Sequence, residues 1–231
     1  MGANAQTAVP LYVAAEVLTA ANMNISAGTG VPVFATTVTR DAAFGGAGEK
    51  VLAEGQLAYI EASNIVQYYD GAAWATVGPS SPQVSIFSVS QNSGTNGGTA
   101  TSGSFIKIGL NTTVVNGITS CTLTSGVISL PAGTYTVSAS NPFGGVNDCK
   151  IKLRNTTDGT DEIIGTSGNQ SGATATQIIR TELLGVFTIA GTKNYELQYR
   201  VSVTLASYGL GINNSFSVAE NYALITITKT A

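Results

Sequence analysis

The chain has 231 residues, a formal net charge of −3 and only 10% Asp, Glu, Lys and Arg, where an ordinary globular domain carries about a quarter. It has no histidine, which removes Ser-His and Cys-His catalysis and histidine-ligated metals from what the chain can do by itself. Few cations and no basic run argue against binding a nucleic-acid backbone, where Lys and Arg must displace counterions.

Small neutral polar residues replace the missing charge, among them 27 glycines. Such a surface does not repel close neighbours and suits packing into an assembly. The two cysteines, Cys121 and Cys149, fit neither a disulfide framework nor a zinc site. They can meet across neighbouring strands, but two free, part-buried thiols are the expectation. No basic segment precedes a long apolar core, and no run of about 18 apolar residues occurs. Neither a secretory signal nor a membrane span is therefore expected, and synthesis in a cytoplasm is.

Residues 1–10 are small, polar and expected to be extended. Residues 11–23 (LYVAAEVLTAANM) give the one good helix candidate, with Leu11, Ala14, Ala15 and Leu18 near helical spacing and Val17 and Met23 adding apolar surface. A helix this short needs a partner surface, either its own domain or another subunit. Residues 31–35 and 57–66 read as strands, and 67–74 (QYYDGAAW) as a hairpin around Asp70-Gly71. The glycine-rich loop 44–50 lacks the Gly-Lys-Ser/Thr ending of a phosphate loop. Tyr68, Tyr69 and Trp74 can stack on a sugar ring or form the core of a small hairpin module. Large aromatics more often do the second.

GPSSP at 78–82 marks the best domain boundary. A strand at 83–90 is followed by a Gly/Ser/Thr/Asn loop, 91–103, that reads as too polar to pack. Strands then recur at 105–115, 118–123, 127–130, 134–139, 149–155, 161–164, 178–189, 195–205 and 222–228, separated by turn signals such as Asn116-Gly117 and Asp158-Gly159. Strands at this spacing without intervening helices predict an antiparallel sandwich or jelly roll.

The stretch 126–140 (GVISLPAGTYTVSAS) organises that domain. Ile128 and Leu130 share one face of the first strand, and Tyr135, Val137 and Ala139 share one face of the second. The Leu130-Pro131-Ala132-Gly133 corner joins them and reads as the corner of a sandwich. Along 195–205, Tyr195, Leu197, Tyr199 and Val201 alternate with polar residues. The last strand (YALITIT) reads as apolar on both faces, with Ala223, Ile225 and Ile227 against Tyr222 and Leu224. A strand wet on one side does not look like that. Tyr195, Leu197, Tyr199, Val201, Tyr222, Leu224 and Ile225 are therefore the candidates for core or subunit interface.

The chemistry-bearing clusters are modest. Asp158-Gly159-Thr160-Asp161-Glu162 gathers carboxylates but lacks the alternating ligands of a calcium loop, so a solvated acidic turn is expected. Nothing places two carboxylates across a cleft as a glycosidase needs. Lys150, Lys152 and Arg154 alternate opposite Ile151 and Leu153 and read as the solvated face of a strand rather than a basic binding stripe. Arg180, Glu182, Glu196 and Arg200 are placed to pair across strands, where exposed pairs contribute little. The sequons at Asn111, Asn155, Asn169 and Asn213 reflect an Asn/Thr-rich composition. No catalytic set, metal or cofactor is expected.

The order of these signals carries a resemblance. From Gln83 onward, the early Phe87 strand, LPAGTYTVSA, CKIKLRN, a Gly-Thr corner before YELQY and the closing YALITITK resemble the C1q/TNF-like jelly roll, particularly as it occurs in virion proteins of tailed phages. The first part, VLTAANMN, VPVFATTVTRDAAF and YYDGAAWATV, is similar to the N-terminal region of phage tail-fibre and other virion structural proteins. The resemblance implies a mainly β protein with an arm and short helix at 1–30, a small β-hairpin module at 31–78 and a jelly roll at 79–231. It implies a non-enzymatic homotrimer in the virion, attached through Leu11, Val17, Leu18 and Met23, with other virion proteins and host-surface glycan as partners. Tail fibre or appendage is the first placement. Glycine- and serine-rich loops, and the lack of heptad or collagen-like repeats for a shaft, favour capsid decoration as the second. A polysaccharide-binding module, using Tyr68, Tyr69 and Trp74, comes third.

Overall fold

The computed structural model describes residues 30–46, 50–78, 82–170 and 177–230. The chain divides into two compact units, Met1–Ser80 and Ser81–Ala231. The helix expected over 11–23, with Leu11, Val17, Leu18 and Met23, lies outside the described residues.

The first unit contains β1 (Val33–Phe34), α1 (Thr37–Asp41), β2 (Leu57–Ile60), β3 (Ile65–Tyr69) and β4 (Trp74–Thr76). The strands form one sheet in chain order, with β1 parallel to β2 and the other pairs antiparallel. The single strand expected over 57–66 is cut by a turn at 61–64, where Asn64 takes φ +52°, a conformation asparagine tolerates. The Asp70-Gly71 turn forms as expected. Its Asp70 Oδ1 accepts from the Ala72 and Ala73 N–H groups at 2.9 and 2.7 Å, and Gly71 has φ +98°. The short helix α1 is not anticipated by periodicity. Thr36 caps it, accepting from Thr39 N–H at 3.2 Å, while Thr39 Oγ1 accepts from Thr36 N–H at 3.0 Å. This is a capping box with threonine in place of Glu or Gln. Phe34, Ala43, Ala58 and Ile60 make a small core, with Phe44, Ile65 and Trp74 packed against it.

The second unit is built from β5 (Gln83–Gln91), β6 (Ile106–Lys107), β7 (Thr112–Asn116), β8 (Thr122–Thr124), β9 (Val127–Leu130), β10 (Gly133–Gly144), β11 (Asp148–Asn155), β12 (Thr160–Asn169), β13 (Ile178–Ile189), β14 (Lys193–Val201) and β15 (Glu220–Lys229). One sheet runs β13-β10-β15-β5-β7 and the other β12-β11-β14-β9-β8, with β6 pairing β14. All pairs in both sheets are antiparallel. Apart from the hairpins β8-β9 and β11-β12, which stay within the second sheet, strands that are neighbours in sequence lie in opposite layers, which makes the unit a jelly roll.

The corner 130–133 carries the chain from one sheet to the other, since β9 lies in the second sheet and β10 in the first. Ile128, Leu130, Tyr135 and Val137 are all fully buried. Phe187 sits between the rings of Tyr135 and Tyr195, with centroids 5.7 and 5.2 Å away. Each such pair adds about 0.5–1.5 kcal/mol beyond its buried area.

Four expectations are corrected. The strand read over 105–115 is two, and its halves β6 and β7 belong to opposite sheets. The strand read over 118–123 is displaced to β8, with a turn before it. The strand read to Leu205 ends at Val201; beyond it Leu205 bridges Ala100. The loop 91–103, read as too polar to pack, lies against 205–213. Gly97 N–H donates to Gly211 at 2.9 Å, and Ala100 and Leu205 exchange backbone bonds at 3.0 and 2.9 Å. A Cβ at Gly97 would stand 2.3 Å from the Leu210 carbonyl oxygen, so glycine is what lets the two backbones meet. Such packing leaves no trace in an apolar pattern.

β5 and β15 pair from Gln91 with Glu220 to Gln83 with Lys229. The chain thus enters the jelly roll at one end, and the loops 92–105 and 202–219 stand at the other.

Candidate functional site

The face of the first sheet that turns away from the core is the best candidate, and its composition follows from the pleat. On β10 the odd residues Tyr135, Val137 and Ala139 point inward, so Thr134, Thr136 and Ser138 point out. Register places Thr136 between Val186 of β13 and Thr228 of β15, with Val84 beyond. One row along, Ser138 lies between Leu184 and Thr226, followed by Ile86 and Val115. Leu184 is 73% and Val186 66% exposed. Small hydroxyl side chains therefore line the middle of the face, and aliphatic ones flank it. At the edge of the second sheet, β12 meets β13 where Thr166 Oγ1 donates to the Glu182 carbonyl at 3.2 Å.

Tyr195, Leu197, Tyr199, Val201, Tyr222 and Ile225 lie in the core between the sheets. Of the seven core-or-interface candidates only Leu224 points out, 42% exposed. The reading of β15 as apolar on two faces is corrected by an irregularity in its pairing with β5 between Asn221 and Leu224. There Tyr222 and Ala223 are both buried, and alternation resumes only at Leu224. The Tyr222 hydroxyl reaches the Thr95 carbonyl at 2.5 Å. The outward residues Leu184 and Val186, which the sequence reading passed over, were visible as the off-phase positions of β13.

The charged clusters are structural. Asp161 binds both Lys152 (2.7 Å) and Arg154 (2.8 Å), and these partners hold its carboxyl below the ordinary range. Asp158 is held low in the same way by Lys193 at 2.7 Å. Among the described residues no group of three or more Cys, Asp and Glu could hold a metal ion. Lys152 is not on a solvated face as expected. It is only 7% exposed, with its ammonium 4.1 Å from the Phe105 ring centre. Arg180 donates to Ser140 Oγ at 2.8 Å, and Glu196 lies 3.9 Å from Lys107. Among the described residues no ion pair joins any two of Arg180, Glu182, Glu196 and Arg200.

The hairpin aromatics do not share a face. Tyr69 and Trp74 are cross-strand partners 5.7 Å apart, and Tyr68 points the other way, 39% exposed. Phe44 packs on Trp74 at 5.9 Å, and the Arg40 guanidinium stands 4.5 Å over the indole. Cys121 and Cys149 are free and buried in the core, deeper than the part-burial expected. Burial raises both thiols, that of Cys149 to about 11 with help from the Asp148 charge.

Neither a known family profile nor a curated protein sequence matches the chain. Among solved structures, murine APRIL at pH 8.0 aligns at 11% identity over 64% of this chain and 99% of its own, with a TM-score of 0.40. The pH 8.5 structure of murine APRIL gives 11%, the same coverage and 0.38. The globular domain of zebrafish complement 1qA gives 12%, 64% and 97%, and 0.39. The strand order by itself makes the C-terminal unit an antiparallel two-sheet jelly roll.

Proposed function

We propose that the protein is a non-enzymatic structural component of a tailed-phage virion, a homotrimer of jelly rolls carried as a tail fibre or appendage and attached through its N-terminal part. The observation that carries this reading is the outer face of the first sheet. Leu184, Val186 and Leu224 are exposed there, beside hydroxyl side chains short enough for a neighbouring backbone to approach closely. Such a patch on a soluble domain marks an interface, and each aliphatic side chain it buries contributes up to about 1.5–3 kcal/mol. The order of sequence signals, similar to that of trimeric virion jelly rolls, supports the three-fold arrangement and the placement. Structural work also suits the chemistry: the chain has no histidine, and Asp158 and Asp161 are committed to ion pairs.

Capsid decoration is the second placement, favoured by the lack of heptad or collagen-like repeats in the sequence. Immunogold labelling of intact particles tests both. Gold at the tail or neck supports the first placement, gold over the head replaces it with the second, and unlabelled particles contradict a virion role.

A further inference from the structure

The outer face of the second sheet carries a feature the assembly reading leaves unused. At the end of the jelly roll remote from Gln83, a groove of about 820 Å³ is lined by Ser102, Phe105, Asp148, Lys150, Asn169, Arg200 and neighbours. Lys150 and Arg200 are direct cross-strand partners on β11 and β14. Like charges placed opposite one another in a sheet repel and destabilise the pair. Every other cation on this sheet has an acidic partner: Lys107 has Glu196, Lys152 and Arg154 share Asp161, and Lys193 has Asp158. Among the described residues Lys150 and Arg200 have none.

The one carboxylate in the groove, Asp148, accepts from Asn169 Nδ2 at 2.5 Å and makes no ion pair with either cation. The remaining wall brings hydroxyl, amide and ring groups beside Gly103, Cys149, Gly168 and Val201. Ser102 and Thr204 hold each other at 2.9 Å, Ser202 Oγ accepts from Asp148 N–H at 2.9 Å, and Phe105 gives one aromatic side chain. Two cations side by side suit a carboxylate, for which Arg offers a two-pronged donor. Neighbouring hydroxyl and amide groups, with a carboxylate as acceptor, suit sugar hydroxyls. A bare polyanion gains nothing from Asp148.

We infer that this groove binds an acidic saccharide, with the sugar carboxylate between Lys150 and Arg200 and its hydroxyls on Asp148, Asn169 and Ser102. The inference depends only on the jelly roll, not on the virion reading. It assigns glycan contact to a place distinct from Tyr68, Tyr69 and Trp74.

Calorimetric titration of the full chain with trigalacturonate and with sialyllactose tests it, with lactose as the neutral control. The expected result is saturable binding of at least one acidic sugar and none of lactose. Lys150→Gln and Arg200→Gln should each weaken it about tenfold, as loss of one charge-assisted contact implies. Arg200→Lys should restore part of the affinity, and Lys229→Gln, on the strand end near Gln83, should leave it unchanged. Circular dichroism of each variant confirms that the sheet is retained. Binding of neither acidic sugar, equal binding of lactose, or binding indifferent to both groove substitutions in folded protein would each overturn the assignment.

Discussion

The Tyr135 hydroxyl donates to the Pro131 carbonyl at 2.7 Å, tying the chain's passage between the two sheets to the middle of the core. The ring is fully buried, and burial raises its phenol to about 12, so it stays a donor at any working pH. Removing the hydroxyl leaves a corner carbonyl without its partner. Tyr135→Phe should therefore cost about 1–2 kcal/mol, read as a lower midpoint in urea with an unchanged slope. An unchanged midpoint would show that the corner is held by its neighbours alone.

Cys121 and Cys149 should be silent toward a thiol reagent in the native state. Both are 3% exposed, and burial holds both thiols in the protonated, unreactive form. Titration at pH 8 should find no reactive thiol in folded protein and two in guanidinium chloride. Rapid reaction of either without denaturant would mean that the sandwich opens far more readily than its packing implies.

Glu220 should give the distal loops a pH dependence. Its Oε1 accepts from the backbone N–H groups of Ser215 (2.9 Å), Asn214 (3.2 Å) and Gly94 (3.3 Å), linking two loops. These bonds favour the charged form and lower its pKa from the ordinary 4.5. A depressed folded-state pKa contributes stability that is complete above the unfolded value and lost as pH falls through the folded one. Wild type should thus melt above Glu220→Gln at neutral pH, with the difference shrinking below about pH 4.5. A difference constant down to about pH 3 would assign the effect to shape rather than charge.

Much of this fold is legible in the sequence, and the failures share a cause. Alternation exposes the inward faces of β10 and β14 because one residue in two must be apolar there, and Leu130-Pro131-Ala132-Gly133 announces the corner. What local pattern cannot show is pairing at a distance. The division of 105–115 between two sheets, the irregularity that turns Tyr222 inward and the docking of 92–105 on 205–213 all depend on which backbone lies alongside. The charged residues mislead for the same reason. Lys152 reads as solvated until Asp161 and Phe105 close over it, while the bare pair of Lys150 and Arg200 appears only when β11 and β14 are set in register.

Leu184→Glu and Val186→Glu place a charge on the outer face of the first sheet without touching the core. Each should leave the circular dichroism spectrum intact and weaken self-association at least tenfold, since burying an unpaired carboxylate costs several kcal/mol. Retained assembly in both variants would move the interface elsewhere.

Sedimentation equilibrium of the unmodified chain bears most directly on the whole reading. The expected result is a single species of three 23.5 kDa chains, unchanged on dilution through the micromolar range. A lone 23.5 kDa species persisting at high concentration would contradict it, because the exposed Leu184, Val186 and Leu224 side chains would then have no neighbour to cover them.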